Sequence, residues 1–270
     1  MRTPLKRLLF YLALAALGST GSVFAAEGGE SAAPADWKVT AIERQPVVEG
    51  AVEYRRYSLD GKGSATGTKV QLALFSNKKA TLRVFDQPDS NRSLAETMKE
   101  RNALAGVNGG YFDPEGKPVG LLRSEGKTIA PFRRARLLSG VLAVGQGTVE
   151  IFRASEFPAK RDWREALQCG PFLLDRGKPV AGLNDTRSAR RTFVLTTTDR
   201  RTAIGSCAPV TLAGLARVLA ALPELKVARA LNLDGGSSSA FWCRTSEETF
   251  SVTEMKTVRD FLAVVPRTDR

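Results

Sequence analysis

Polar and apolar positions alternate along most of the chain beyond residue 50, and many of the apolar residues are β-branched. Alternation sends successive side chains to opposite faces of an extended chain and is typical of half-buried β-strands. The pattern predicts strands over Val52–Leu59, Val70–Phe75, Ala80–Phe85, Leu138–Val144, Val149–Phe152, Phe172–Leu174, Thr192–Thr198, Arg201–Ser206, Ala230–Leu233 and Phe261–Val265.

Fewer segments have helical spacing. Ser93–Arg101 begins with a serine and carries Glu96 three positions later, which is the sequence of a capping box. Thr211–Leu222 has leucines and alanines on one face and is ended by Pro223. We therefore expect a mixed α+β fold in a single domain, rich in strands, with a few covering helices.

The second predicted helix lies between two predicted strands, Arg201–Ser206 before it and Ala230–Leu233 after it. A strand, a helix and a strand in this order would deliver Asp234 to the carboxyl end of a strand. Sites of α/β proteins usually form at that end, so Asp234 is a candidate functional residue.

The first residues have the pattern of a signal peptide. Arg2, Lys6 and Arg7 precede the apolar run Leu8–Leu17, and small residues follow as far as residue 26. An apolar run of this length is about half of the roughly 20 residues that a membrane-spanning helix needs. We expect residues 1–26 to be a signal peptide and expect no stable membrane insertion.

The remaining chain divides into two parts by composition. Residues 27–36 are small and polar and predict a flexible lead-in, whereas residues 37–270 carry the strand and helix patterns. The expected product is one domain that is exported and is either periplasmic or secreted. The sequence leaves its oligomeric state open.

The net charge is +12 for the whole sequence and +9 without the three basic residues of the predicted signal peptide. This charge favours anionic partners. The basic residues are scattered and are not interleaved with aromatics, so the sequence does not predict a nucleic-acid groove. A phosphate-bearing glycan is the partner that suits an exported protein best, beside general solubility as the simpler explanation.

Histidine is absent from the sequence, which excludes Ser-His-Asp and Cys-His catalysis and imidazole-bound zinc. The spacing of Cys169, Cys207 and Cys243 excludes CxxC motifs. An oxidising compartment allows two of these cysteines to pair, and the sequence does not choose between the three pairings.

Two glycine-rich loops carry the strongest signals. In the first, Gly109 and Gly110 follow Asn108 and allow a close backbone approach to a ligand, with Tyr111 beside them. A tight turn with the aromatic residues in the core is the alternative interpretation.

The second loop follows the predicted buried strand that ends near Leu233. Its acid is Asp234, and its glycines and hydroxyl residues are Gly235, Gly236, Ser237, Ser238 and Ser239. Successive backbone N–H groups in such a loop can bind an anion, while the acid can serve as a base, a nucleophile or a metal ligand. An Asp-Gly turn with solvated serines is the alternative.

Two further segments complete the pattern. Gly170-Pro171 restricts the backbone and could shape a pocket wall. Arg187, Arg190 and Arg191 lead into a strand, and a guanidinium group binds phosphate bidentately. Surface arginines at a sheet edge are the simpler interpretation for any one of them.

In this order, the segments NGGYFDPEGKPVGL, QCGPFLLDRGKPV, RRTFVLTTTDR and ALNLDGGSSSAF resemble the phosphodiester glycosidase family. The resemblance implies hydrolysis of a bond between the anomeric carbon of a sugar and a phosphodiester. It places Asn108, Gly109 and Gly110 in one loop of the site and Asp234, Gly235, Gly236 and Ser238 in the other.

The resemblance also implies roles for individual side chains. Arg191 would stabilise the leaving phosphate, Asp234 would activate water or stabilise the cationic sugar, and Asn108 would position the substrate. The family pattern has a small residue where this chain has Phe193, so Arg190 remains a substitute for Arg191.

The two-carboxylate scheme of glycosidases calls for a second acid, for which Asp113, Asp185 and Glu53 are the candidates. A calcium or magnesium ion between Asp234 and the phosphate is a further option. Two other functions stay open: a non-catalytic glycan-binding or polysaccharide-assembly protein on the same fold, and a phosphodiesterase.

Overall fold

The computed structural model describes residues 37–48, 50–61, 67–89 and 91–267. The predicted signal peptide and lead-in lie outside these residues. In chain order the strands are β1 (Trp37–Val48), β2 (Val52–Gly61), β3 (Thr68–Ser76), β4 (Ala80–Asp86), β5 (Ala105–Asn108), β6 (Leu122–Ser124), β7 (Lys127–Ala130), β8 (Gly140–Gly145), β9 (Thr148–Arg153), β10 (Glu165–Cys169), β11 (Phe172–Asp175), β12 (Lys178–Pro179), β13 (Ala189–Thr197), β14 (Arg201–Val210), β15 (Val227–Asn232), β16 (Phe241–Arg244), β17 (Thr249–Val252) and β18 (Asp260–Pro266).

Every strand predicted from the alternation is present. Most of the strands that were not predicted are short, and β12 has only two residues. The exception is β1, which has twelve residues, but exposed and half-buried positions are mixed along it because it lies at the edge of a sheet. Edge strands lack the buried face that makes alternation visible in a sequence.

Both predicted helices form, α1 over Leu94–Glu100 and α2 over Leu212–Ala220. The capping box at Ser93 is confirmed, since its hydroxyl accepts from the N–H of Glu96 and the Glu96 side chain accepts in return. Thr211 caps α2 in the same way through the N–H of Gly214. The strand-rich fold with few helices is therefore confirmed.

The strands form three sheets in which every pair is antiparallel. One has eight strands in the order β1-β2-β3-β14-β13-β15-β11-β12, and two have five, in the orders β7-β6-β10-β8-β9 and β17-β16-β5-β18-β4. The unit β14-α2-β15 is present, but β13 lies between its two strands and is antiparallel to both. Asp234 therefore follows the carboxyl end of a strand as expected, but the two strands that flank β15 are antiparallel to it.

The largest cluster of buried apolar side chains joins all three sheets, with members such as Val107, Leu142 and Val194. Helix α2 packs on the eight-stranded sheet through a second cluster, which contains Phe193. Helix α1 packs on the sheet that contains β5 and β18. The chain segments that follow β5 and β15 therefore start from strands whose last residues are buried.

Phe193 occupies space that Gly205 leaves open. A Cβ atom on Gly205 would lie 2.6 Å from Cζ of Phe193, which is too close for an ordinary contact. Phe193 itself is fully buried among the apolar residues under α2. The large side chain that departs from the family pattern is thus accommodated in the core.

The three cysteines are all buried and free, so the pairing that the sequence allowed is not found. In the described part of the chain, neither helix has the length and hydropathy needed to cross a bilayer.

Candidate active site

The two glycine-rich loops are joined by hydrogen bonds. The first follows β5 and the second follows β15, and these strands belong to different sheets. The N–H of Asp234 donates to the carbonyl of Gly109 at 3.1 Å, and Nδ2 of Asn108 donates to the carbonyl of Asp234 at 2.8 Å. The resemblance grouped these loops in one site, and the structure brings them together.

Asn108 is fully buried and uses both ends of its amide within the protein. Besides the bond from Nδ2, its Oδ1 accepts from Oγ1 of Thr192 at 2.7 Å and from the N–H of Ala240 at 2.9 Å. Such an amide has little capacity left for a ligand. In this structure the Asn108 side chain therefore fixes the position of the Asp234 loop.

Asp260, at the start of β18, supports the first loop and was not recognised in the sequence. Its Oδ1 accepts from the N–H of Gly110 at 3.0 Å, and its carbonyl accepts from the N–H of Gly109 at 2.9 Å. Burial raises the pKa of its carboxyl group to about 7, and the charge of nearby Asp234 acts in the same direction. An acid at the beginning of an apolar strand is the only sequence signal for it.

A cleft of about 380 Å³ opens beside the joined loops. This volume lies within the range of about 300–1,000 Å³ that is usual for small-ligand pockets. Asp234 is the only acid that lines it, whereas two arginines do. The lining residues are Tyr111, Asn184, Arg187, Ala189, Arg191, Leu212, Asn232, Asp234, Gly235 and Gly236.

Arg191 is a nearly buried cation, 9% exposed, and has no carboxylate partner in the described residues. Its Nε donates to the carbonyl of Val210 at 2.9 Å and its Nη2 to the carbonyl of Arg187 at 2.6 Å. Burial lowers its pKa, and the charge of Arg187 lowers it further. A buried guanidinium beside a second cation, without a counter-ion, favours an anionic ligand.

The Asp234 carboxyl group is half-buried, and this burial raises its pKa. The N–H of Gly235 donates to its Oδ1 at 2.9 Å and lowers the pKa, as do the nearby hydroxyl of Ser238 and the charge of Lys256. That hydroxyl is fully buried and makes no hydrogen bond of normal geometry. Asp234 is therefore held in one orientation with its charge partly balanced.

Tyr111, Asn232 and Gly170 form one wall of the cleft. Nδ2 of Asn232 donates to the carbonyl of Gly170 at 2.9 Å and to the Tyr111 hydroxyl at 3.2 Å, and this hydroxyl donates to the same carbonyl. Oδ1 of Asn232 is buried and has no partner. It is an unused acceptor in this wall, and sequence reasoning missed Asn232 because it resembles an ordinary strand residue.

The predicted substrate-binding residues divide into two groups. Tyr111, Gly235 and Gly236 line the cleft, and Gly236 has a φ of 65°, which favours glycine. The others do not line it: Gly109 and Gly110 lie over Asp260, Ser237 is exposed, and Ser238 is buried behind Asp234.

Arg190 and Arg191 are separated by the sheet. Arg191 lines the Asp234 cleft, whereas Arg190 lines a different one. Because neighbouring residues of a strand face opposite sides, only one of them can serve the Asp234 cleft. Arg191 is therefore the one of the two that lines the cleft beside Asp234.

The three candidates for a second acid do not line the cleft. Asp113 accepts from the N–H of Lys117 in a turn, at 2.8 Å. Asp185 accepts from the hydroxyl of Thr211, the N-cap of α2, and pairs with Arg217, while Glu53 pairs with Arg55. None of the three therefore lies in the lining of the Asp234 cleft, and each carboxylate is engaged elsewhere.

No group of three or more acidic, cysteine or histidine side chains in the described residues is arranged to hold a metal ion. The sequence model of the phosphodiester glycosidase family matches residues 101–265, which include both loops, Arg191 and Asp260. The chain belongs to the phosphodiester glycosidase family. No curated protein matches the sequence.

Solved structures similar to this family member include the zebrafish N-acetylglucosamine-1-phosphodiester alpha-N-acetylglucosaminidase catalytic domain, auto-inhibited by its pro-peptide. That match has a TM-score of 0.63 and 16% identity, and covers 84% of this chain and 88% of that chain. A hypothetical Synechocystis protein matches with a TM-score of 0.59 and 14% identity over 84% of this chain and 64% of that chain. A protein of Burkholderia pseudomallei K96243, predicted to be exported, matches with a TM-score of 0.60 and 12% identity. This match covers 86% of this chain and 97% of that chain. At these identities the likeness establishes the fold.

Proposed function

We propose that this member of the phosphodiester glycosidase family is an exported hydrolase that releases a sugar from a glycosyl-1-phosphodiester. The observation that carries the proposal is the pairing of Asp234 with the unpartnered cation Arg191 in one cleft. An anionic group and a reacting carbon next to it can bind there together. The predicted signal peptide supports export.

The reaction breaks the bond between the anomeric carbon and the phosphate oxygen. Water adds to the anomeric carbon, the phosphate monoester leaves with the electron pair, and Asp234 accepts the water proton or stabilises the positive charge on the sugar. A phosphate monoester is a weak base, so it needs little protonation to leave. The lack of a second acid lining the cleft is compatible with this chemistry.

Arg191 is assigned to the leaving phosphate. Its Nη1 has no hydrogen-bond partner in the described residues, and both other guanidinium nitrogens are fixed on backbone carbonyls. A donor that is already fixed requires little reorganisation as charge develops on the phosphate. Arg187 adds a second positive charge, and Oδ1 of Asn232 is assigned to a sugar hydroxyl.

A non-catalytic binding protein is the main competing function, and Phe193 was its best sequence support. The Phe193 ring packs under α2 in the core. It is absent from the residues that line the Asp234 cleft. This departure from the family pattern therefore gives no reason to expect lost turnover.

The test is release of N-acetylglucosamine from N-acetylglucosamine-1-phosphodiesters and UDP-N-acetylglucosamine by wild type, Asp234→Asn and Asp162→Asn. The Asp162 side chain is 89% exposed, so this control removes the same charge away from the cleft. We expect Asp234→Asn to abolish release and Asp162→Asn to leave it unchanged. Full activity of Asp234→Asn would overturn the role of Asp234.

Two further arms separate the remaining functions. Hydrolysis in ¹⁸O-labelled water should place the label on the sugar, whereas a phosphodiesterase would place it on the phosphate. A chelator arm tests for a divalent ion between Asp234 and the phosphate. Glycan binding without release from any substrate would favour the non-catalytic function.

A further inference from the structure

A second cleft, of about 320 Å³, lies on the other side of the Asp234–Ser239 loop. Three cations and no carboxylate line it. The lining residues are Arg56, Lys69, Gln71, Arg190, Ser206, Cys207, Ala208, Pro209, Ser239 and Val252. This composition gives a positive potential and hydroxyl donors in one concave surface, which suits an anion.

Arg190 is held in place without using its charge. Its Nε donates to the carbonyl of Gly236 at 3.3 Å and its Nη1 to the carbonyl of Thr253 at 3.2 Å. Its Nη2 is buried and has no partner. No carboxylate lies within ion-pair distance of Arg190 in the described residues, so its charge is not neutralised.

Lys69 and Ser239 supply the remaining donors. Lys69 is exposed on β3 and forms no ion pair in the described part of the chain, whereas Arg56 pairs with Glu43. Ser239 is fully buried, and its hydroxyl has no hydrogen-bond partner. Buried polar groups are nearly always hydrogen-bonded, so this hydroxyl and Nη2 of Arg190 are both suited to an anionic ligand.

The Asp234–Ser239 loop is shared by the two clefts. Gly235 and Gly236 line the first cleft and Ser239 lines the second. Arg190 bonds to the carbonyl of Gly236, so a ligand on Arg190 would contact a side chain that holds this loop. Phosphate groups bound in the two clefts would therefore lie against the same loop.

We propose that the second cleft binds a phosphate group, carried by the next repeating unit of a polyanionic glycan whose glycosyl phosphate occupies the Asp234 cleft. The link to a polymeric substrate rests on the proposed function. Binding of phosphate in the second cleft does not depend on it, because it requires neither turnover nor Asp234.

The test is calorimetric titration with inorganic phosphate, free of any sugar. We expect two sites in wild type and in Asp234→Asn. Arg190→Gln and Lys69→Gln should weaken one site about tenfold, the effect of losing one hydrogen bond to a charged group. Arg191→Gln should weaken the other site. Lys38→Gln removes the same charge from an exposed position of edge strand β1 and should change neither site.

Several results would overturn the proposal. One is a wild type in which no phosphate site is weakened by Lys69→Gln or Arg190→Gln. Another is equal weakening by Lys69→Gln and Lys38→Gln, which would indicate adsorption by net charge. If Arg190→Gln fails to fold, Lys69→Gln alone tests phosphate binding in the second cleft, because Lys69 is exposed and holds no other element.

A second arm identifies the source of the phosphate. A glycosyl phosphate dimer should bind more tightly than the monomer to wild type, and this advantage should vanish in Lys69→Gln. Equal binding of dimer and monomer, with the phosphate site intact, would overturn the polymeric ligand. Absence of sugar release from every substrate would instead overturn the proposed function and leave the phosphate site standing.

Discussion

The carboxyl group of Asp260 lies directly against the Cα atom of Gly109. A Cβ atom on Gly109 would be 1.7 Å from Oδ1 of Asp260 and 3.1 Å from its carbonyl oxygen. Oδ1 is itself fixed by the N–H of Gly110, and the whole residue is 1% exposed. The first glycine of the loop is therefore required by a buried acid beneath it.

Gly109→Ala should destabilise the protein by about 2–3 kcal/mol, since the buried carboxyl group cannot move away without losing its hydrogen bond. Gly110→Ala is the matched control, because its Cβ would meet Leu167 at 3.7 Å, an ordinary contact. Urea unfolding of both variants measures the difference. Equal stability of the two would show that the Asp260 contact is not rigid.

Asp260→Asn should change how stability depends on pH. Because the folded-state pKa of Asp260 is raised from 3.8 to about 7, the folded protein holds a proton that the unfolded chain has released. The contribution of this protonated group to the free energy of unfolding is complete below about pH 4 and is lost as the pH rises through about 7. Asparagine mimics the protonated form and keeps an acceptor for Gly110, so the variant should gain stability over wild type between pH 5 and pH 8.

Urea unfolding of wild type and Asp260→Asn at pH 5 and pH 8 measures how the difference in their stability changes with pH. Burial also raises the pKa of Glu165 to about 7, but this group is present in both proteins and cancels in the comparison. The neighbours Asp86, Arg259 and Asp234 are likewise unchanged. Parallel stability curves for wild type and Asp260→Asn would contradict the assigned protonation of Asp260.

Asn108→Ala should cost about 2–4 kcal/mol of stability, because it leaves a buried hydroxyl and a buried N–H without a partner. Thr192→Val should cost about 1 kcal/mol. The two changes remove the same 2.7 Å hydrogen bond, so the double variant should lose less than the sum by about 0.5–1 kcal/mol. Strictly additive losses in urea unfolding would show that the bond does not couple these residues.

Arg191→Gln should lower kcat/KM for an N-acetylglucosamine-1-phosphodiester by about 10²- to 10³-fold, the range for removing a fixed donor to developing charge. Arg191→Lys should recover part of this loss, since it keeps the charge but not the planar fork. Arg187→Gln is the control for an exposed cation in the same cleft and should cost less than tenfold. If Arg187→Gln lowered kcat/KM more than Arg191→Gln does, the leaving phosphate would be assigned to Arg187 instead.

The sequence by itself predicted the strand-rich fold and both glycine-rich loops. Alternation revealed strands such as Val52–Gly61 and Ala80–Asp86, because a half-buried strand must alternate polar and apolar side chains. It also placed Asp234 directly after a buried strand. These features are local, so a short stretch of sequence contains the information that defines them.

The tertiary structure alone decided which side chains share a cleft. Asp260 lies against Gly109 although 151 positions separate them, because β18 and β5 pair in one sheet. Arg190 and Arg191 adjoin in sequence but line different clefts, since a strand directs neighbouring side chains to opposite faces. Burial likewise determined that Asn108 holds the loops, and these relationships depend on contacts between distant segments that no local pattern records.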